Sequence, residues 1–330
     1  MTGQTVRTRF VFRLMVTTIS VVTLGCATGP DAFATTPVAR LAGGDRIGTA
    51  IQASGVAFPS ARSAASVVLT SAFDFPDALA GAPLAAAKNA PLLLTDPAGL
   101  SGSTLAEIQR VAPPGATVYV LGGPGAVATT VDQSLVAAGY VPQRIAGIDR
   151  FDTSVKIAEA LGSPSTVFLA TGDVFADALS AGPAAAVAHG AILLTDGAGM
   201  PASVGLYLAG LPSRTVFTIG NAAALAYPPG TRVAGSDRFV TSALVAQRFF
   251  PSPSVVGVAT GYNYPDALAG AAAMGVIGGP VLLSDPFVLP PGIDFYLGAH
   301  AATVTQAFLF GGVASLTDSI YFDVSSALGG

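Results

Sequence analysis

Arg40-Leu-Ala-Gly-Gly-Asp-Arg46 is written three times in this chain. It returns as Arg144-Ile-Ala-Gly-Ile-Asp-Arg150 and as Arg232-Val-Ala-Gly-Ser-Asp-Arg238. Each copy keeps an arginine, a branched aliphatic, Ala-Gly, one free position and Asp-Arg. The copies start 104 and 88 residues apart in a chain of 330, so the repeat is domain-sized rather than a short solenoid unit.

Three landmarks follow each copy in fixed order. The first is a turn leading into an alanine-rich stretch: Phe75-Pro-Asp77-Ala-Leu, Phe175-Ala-Asp177-Ala-Leu and Tyr264-Pro-Asp266-Ala-Leu. The second is an apolar run closed by a hydroxyl and a carboxylate, Thr95-Asp96, Thr195-Asp196 and Ser284-Asp285. The third is an apolar run ending in glycine: Gly122-Gly123, Gly220-Asn221 and Gly311-Gly312. The chain therefore divides into an N-terminal segment 1–34 and three units, 35–143, 144–231 and 232–330.

Between the landmarks, strand and helix patterns alternate. Residues 66–70, Ser-Val-Val-Leu-Thr, read as a buried strand, continuous and β-branched. Asp77 reads as the N-cap of a helix over 78–88. Residues 101–111 are amphipathic, with Leu105, Ile108 and Val111 on one side. Units two and three repeat the course. Continuous apolar strands alternating with helices indicate an α/β fold with a mainly parallel sheet covered on both faces.

These motifs resemble the cell wall-binding repeat type 2 family of Gram-positive bacteria. The resemblance covers 40–330 and rests on the Arg-x-Ala-Gly-x-Asp-Arg opening, the Phe-Pro-Asp-Ala-Leu-Ala turn, the Pro-Leu-Leu-Leu-Thr strand and the Leu-Gly-Gly turn. It implies three Toprim-like, Rossmann-like units in a pseudo-threefold arrangement. It also implies non-catalytic, non-covalent attachment to an anionic cell-wall polysaccharide or teichoic-acid-like polymer. Family members commonly carry a separate effector region, and none is expected within these residues. Two departures fall in unit two: Ala176 where the turn usually has proline, and Asn221 where the second glycine is usual.

Composition narrows the partners. The chain is 51% hydrophobic and 10% charged, enough apolar residue to fill a large core. Residues 1–34 read as a secretion signal, with Arg7, Arg9 and Arg13 before an apolar stretch and Ala32-Phe33-Ala34 as the cleavage site. Cys26, in Thr23-Leu24-Gly25-Cys26, competes with that reading as a lipid-anchoring site. No later apolar run suits a membrane helix. Removing the signal takes the formal charge from −4 to −6, because three arginines and Asp31 leave with it. An acidic chain is not built for unspecific attraction to nucleic acid or any other polyanion, so positive charge must act locally.

The charges are scarce and placed. Arg46, Arg150 and Arg238 are the candidates for polymer contact, because a guanidinium fork fits phosphate or carboxylate. Asp45, Asp149, Asp237, Asp77, Asp177 and Asp266 stand beside them as candidate contacts. The competing reading makes these Asp-Arg pairs caps and partners of neighbouring turns. Arg40, Arg144 and Arg232 read as structural or unit–unit contacts, and Thr49, Thr153 and Thr241 as caps. Phe75, Phe175 and Tyr264 are placed either under the turn or against sugar rings. His189 and His300 are singletons, no His/Cys spacing suits a metal, and no Gly-x-Ser-x-Gly elbow is present. No cofactor, metal or catalytic residue is expected. The alternatives are a wall-associated hydrolase or its modifier, and a surface-layer subunit; the partner protein is unknown.

Overall fold

In a computed structural model, Met1, residues 36–211 and residues 213–330 are described. Beyond Met1, the segment 1–34 read as a secretion signal, with Cys26 in it, lies outside the described residues. The first repeat runs β1 (Val38–Leu41), α1 (Arg46–Ala57), β2 (Ser66–Ser71), a 3-10 turn Pro76–Ala78, α2 (Gly81–Ala87), β3 (Leu92–Thr95), α3 (Gly102–Val111), β4 (Thr117–Leu121) and α4 (Thr129–Ala137). The second runs β5 (Val141–Ile145), α5 (Arg150–Ala160), β6 (Thr166–Thr171), α6 (Ala176–Val187), β7 (Ala191–Thr195), α7 (Ala202–Gly210), β8 (Thr215–Ile219) and α8 (Asn221–Ala226). The third runs β9 (Thr231–Val233), α9 (Arg238–Phe249), β10 (Val255–Thr260), α10 (Pro265–Ile277), β11 (Val281–Ser284), α11 (Pro291–Ala299), β12 (Gln306–Phe310) and α12 (Asp318–Ala327).

The strands form three four-stranded parallel sheets, ordered β3-β2-β4-β5, β7-β6-β8-β9 and β11-β10-β12-β1. The motif strand of each repeat thus completes the sheet of the repeat before it. β5 pairs with β4, β9 with β8, and β1 closes the circle on β12, with Arg40 in register with Leu309. The central strands are covered on both faces, which explains why β2 reads Ser-Val-Val-Leu-Thr-Ser without polar alternation and is buried throughout.

The alanine-rich helices explain the threefold arrangement. α2, α6 and α10 pack on one another at the centre. A helix apolar all round belongs in a core, and small side chains let backbones approach. The equivalent positions Ala82, Gly182 and Ala271 meet there: a Cβ on Gly182 would lie 2.9 Å from that of Ala82 and 3.3 Å from that of Ala271. One buried apolar cluster draws on all three repeats around this axis, and a separate cluster lies outside each sheet. α1 packs on α10, and α9 on α6, so each of these motif helices also belongs to its predecessor.

Asp77 does not cap a helix over 78–88. It lies inside the 3-10 turn, and α2 begins only at Gly81. Asp177 and Asp266 sit in the first turns of α6 and α10, again without capping them. Proline or alanine between the aromatic and the acid starts the turn early, which leaves the carboxylate free to reach elsewhere.

Candidate functional site

Each motif builds a tight loop between a strand and a helix. Asp45, Asp149 and Asp237 are the N-caps of α1, α5 and α9. Their carboxylates accept from Gly48 N–H (2.8 Å), from Asp152 N–H (2.8 Å), and from both Phe239 and Val240 N–H (2.9 Å each). This satisfies N–H groups that a helix start leaves without partners. Thr49, Thr153 and Thr241 do not cap. Their hydroxyls accept from the N–H of Gly43, Gly147 and Gly235, at 3.2, 3.0 and 3.1 Å, and tie the loop shut. The loop is so tight that a Cβ on Gly43 would run into the backbone of Gly48 and Thr49, which accounts for the Ala-Gly of the motif.

The second arginine of each motif reaches the carboxyl end of its own central strand. Arg46 Nη1 donates to the Ala72 carbonyl (2.8 Å) and the Tyr264 hydroxyl (3.2 Å). Arg150 donates to the Gly172 carbonyl at 2.7 Å and Arg238 to the Gly261 carbonyl at 2.5 Å. Among the described residues, Nε and Nη2 of these three arginines make no hydrogen bond. Each guanidinium is therefore held by one nitrogen and retains donors for a further group.

Beside the arginines, Phe75, Phe175 and Tyr264 meet on the axis. Their ring centroids lie 5.8, 5.2 and 6.1 Å apart, in edge-on and tilted contact. They pack against one another as half-buried rings. Arg46 lies over Tyr264 and Arg238 over Phe175, at 5.8 and 5.9 Å.

The acid of each aromatic-x-Asp turn stands over the glycine that follows the fourth strand of the repeat. Gly122, Gly220 and Gly311 have φ of +99°, +85° and +113°, where glycine is at ease and other residues are strained. A Cβ on Gly122 would lie 2.7 Å from Asp77 Oδ2, and one on Gly311 would lie 2.5 Å from Asp266 Oδ2. Asp266 also accepts from the Ser315 hydroxyl at 2.9 Å. Burial raises the Asp77 carboxyl pKa, opposed by a hydrogen bond from Thr153. Burial pushes Asp177 up to about 6 against the pull of Arg238. These acids thus face the motif loop of the next repeat.

Asp237 lines a separate pocket with Asp285, and the other eight candidate residues gather in three groups, each shared between two repeats: Asp77 with Asp149 and Arg150, Asp177 with Arg238, and Asp266 with Asp45 and Arg46 in a cleft. The last cleft has a volume of about 360 Å³. In every case the second arginine of one copy meets the acid of the preceding copy, not its own. Each group lies between the carboxyl ends of the second and fourth strands of a repeat, where successive crossovers leave in opposite directions, the place at which open parallel sheets bind ligands.

The first arginine of each motif ties repeats together. Arg40 donates to the carbonyls of Gly311 (3.2 Å), Leu316 (2.7 Å) and Thr317 (3.2 Å) and pairs with Asp318. Arg144 holds the Gly122 carbonyl (2.7 Å) and Asp132 (2.5 Å), and Arg232 holds Asn221. Phe73 and Tyr262, two residues ahead of the axial aromatics, escaped the sequence reading. They are the exposed rings beside Arg46 and Arg238. Their signal was a large aromatic in a polar turn. Among the described residues, no helix is long and apolar enough to cross a membrane.

Comparison with known proteins agrees with this architecture. The chain is 33% identical over 248 residues to N-acetylmuramoyl-L-alanine amidase LytC of Bacillus subtilis (strain 168), a match covering 73% of this chain and 49% of that protein. It is 31% identical over 242 residues to the amidase enhancer of the same organism, covering 71% and 32%. Among solved structures, Cwp8 from Clostridium difficile superposes with a TM-score of 0.78 at 26% identity, covering 88% of this chain and 52% of that one. Cwp6 from the same organism superposes at 0.81 with 24% identity, covering 89% and 48%, a likeness of fold. The chain thus spans about half the length, or less, of these relatives. The pattern of Cell wall binding domain 2 (CWB2) matches residues 40–132, 144–227 and 232–321, one match for each written copy of the arginine motif, and the chain belongs to that family.

Proposed function

We propose that this protein binds an anionic secondary polymer of the bacterial cell wall, non-covalently and without chemistry of its own, and so holds itself or a partner at the surface. The observation that carries the reading is the set of three equivalent arginines, Arg46, Arg150 and Arg238, each fixed by one nitrogen at a strand end with its other donors unused. A phosphate or carboxylate on the polymer suits those donors. The acids of the adjoining clefts suit sugar hydroxyls, which donate where a guanidinium cannot accept. Three sites on one rigid body engage one chain, so weak contacts reinforce each other, by ~10²-fold where the polymer spacing fits.

Family membership supports the wall as the place of action. The curated relatives are an amidase and an amidase enhancer, and in this reading the three repeats supply the attachment that such proteins need. The units 35–143, 144–231 and 232–330 act as one binding body. Residues 1–34 direct export and are removed after Ala34, with lipid attachment at Cys26 as the competing route.

The test is wall binding by the full chain and by Arg46→Gln, Arg150→Gln and Arg238→Gln, singly and together. Each single change is expected to weaken binding, and the triple change to abolish it while the melting transition remains cooperative. A folded triple variant that sediments with walls as the wild type does sinks the arginine assignment.

A further inference from the structure

The face at the carboxyl ends of the strands carries more aromatic surface than the packing of three repeats requires. Phe73 and Tyr262 are 60% and 57% exposed and occupy the same place in repeats one and three. Arg46 lies over Phe73 at 5.1 Å and over Tyr264 at 5.8 Å. Arg238 lies over Tyr262 at 5.6 Å and over Phe175 at 5.9 Å. Phe75 joins Tyr264 and Phe175 across the axis. A continuous band results, from Phe73 through Arg46 and the axial rings to Arg238 and Tyr262, alternating rings with guanidinium groups.

Repeat two breaks this pattern. Asp173 stands where Phe73 and Tyr262 stand, and among the described residues no aromatic ring lies over Arg150. The band therefore has two arms, and the third direction is acidic. Loop packing does not account for the two outer rings, because most of their surface faces solvent.

We infer that this band is a saccharide-stacking platform that holds an acidic oligosaccharide stretch of the wall polymer across the pseudo-threefold axis, with Phe73 and Tyr262 as its two terminal contacts. The inference rests on the wall-binding reading and names the part of the polymer that would be recognised. One face of a pyranose ring is a patch of weakly positive C–H groups, which suits the negative face of an aromatic ring. The guanidinium between two rings donates to an acidic substituent of the same sugar. Two exposed rings in different arms of the band, separated by two arginines and the axial rings, cannot share one sugar, so the ligand is a chain. Arginines with free donors flank both rings, and with exposed acids at Asp74 and Asp173 these guanidinium groups are the points at which an anionic chain is held. A second copy of this protein is the competing occupant.

The test compares the full chain with Phe73→Ala/Tyr262→Ala. Two probes are used, intact purified walls and the anionic polysaccharide released from them. Phe295→Ala/Phe322→Ala, which removes two exposed rings of α11 and α12 far along the chain from this face, serves as control. The platform predicts at least a tenfold loss of affinity for both probes in the first variant, none in the control, and unchanged melting in both. The chain has no tryptophan, so Phe73→Trp introduces a single reporter. It should retain binding and shift its emission when the released polysaccharide is added. If wild type binds walls and Phe73→Ala/Tyr262→Ala binds equally well, the platform is wrong and the wall-binding reading survives. If wild type itself fails to bind, that reading falls first and the platform with it. If the wild type sediments as a dimer that the double change dissociates, the rings are a self-contact and the inference is overturned.

Discussion

Arg46 and Tyr264, 218 residues apart, share one acceptor. Arg46 Nη1 donates to the Tyr264 hydroxyl at 3.2 Å, and both donate to the Ala72 carbonyl, at 2.8 and 3.2 Å. The first repeat is thereby fastened to the third at the axis. The linkage extends what β1 does by pairing with β12: the ends of the chain close a ring of three repeats.

Removing the hydroxyl tests that fastening. Tyr264→Phe keeps the ring in the axial cluster and deletes two hydrogen bonds. We expect a loss of ~1–2 kcal/mol in urea unfolding with an unchanged slope. An unchanged midpoint would mean that the ring alone closes the circle.

Arg40 makes a sharper case, because its effect should be felt far along the chain. Its guanidinium holds three carbonyls around the end of β12 and the start of α12. The exposed pair with Asp318 adds little. Arg40→Ala is expected to cost ~1–3 kcal/mol. Hydrogen exchange should quicken in β12 and α12 before it does in β2 or β4. Faster exchange confined to the first repeat would contradict the circular pairing.

The glycine of the third landmark should be replaceable only together with its acid. Gly220→Ala adds a Cβ that collides with the Asp177 carboxylate, at a residue with φ of +85°. A loss of ~3 kcal/mol or more is expected, from strain plus overpacking. In Gly220→Ala/Asp177→Ala the collision disappears and ~1–3 kcal/mol of backbone strain remains, because φ +85° with ψ 161° is a conformation nearly confined to glycine. Additive losses in that double-mutant cycle would show that the two residues do not meet.

Asp177 also sets a pH dependence. Its folded pKa of about 6 exceeds the ordinary value of 3.8, so the folded state holds the proton more tightly than the unfolded one. The contribution is fully favourable below about pH 4 and is lost as pH rises through about 6, amounting to roughly 3 kcal/mol at neutrality. Asp177→Asn keeps the shape and removes the charge. Its melting temperature should exceed that of wild type at pH 7, and the gap should close by pH 4. A variant less stable than wild type at pH 7 would mean that attraction to Arg238 outweighs burial.

Local features were legible in the sequence and cross-repeat features were not. The buried run Ser66–Ser71 declares a doubly covered strand, because its period and β-branching are local. The alanine-rich stretches declare buried helices for the same reason. That β1 belongs with β12 leaves no local trace, since a parallel strand carries no signal of its neighbour. Nor does the sequence show which motif loop Asp77 meets: its carboxylate reaches the loop of Arg150 and Thr153 in the next repeat. Capping was read from an acid ahead of a helical pattern, and a proline-initiated 3-10 turn intervened. Phe75, Phe175 and Tyr264 could be placed under a turn, but only the axis brings all three together.

The most direct test is sedimentation of the full chain with purified walls across a range of salt concentrations, before and after chemical removal of the anionic secondary polymer. Binding to intact walls is expected to weaken as salt rises, as screening of guanidinium–anion contacts requires, and to be lost from stripped walls. Equal binding to intact and stripped walls, unaffected by salt, would contradict it and place the ligand in the uncharged remainder of the wall.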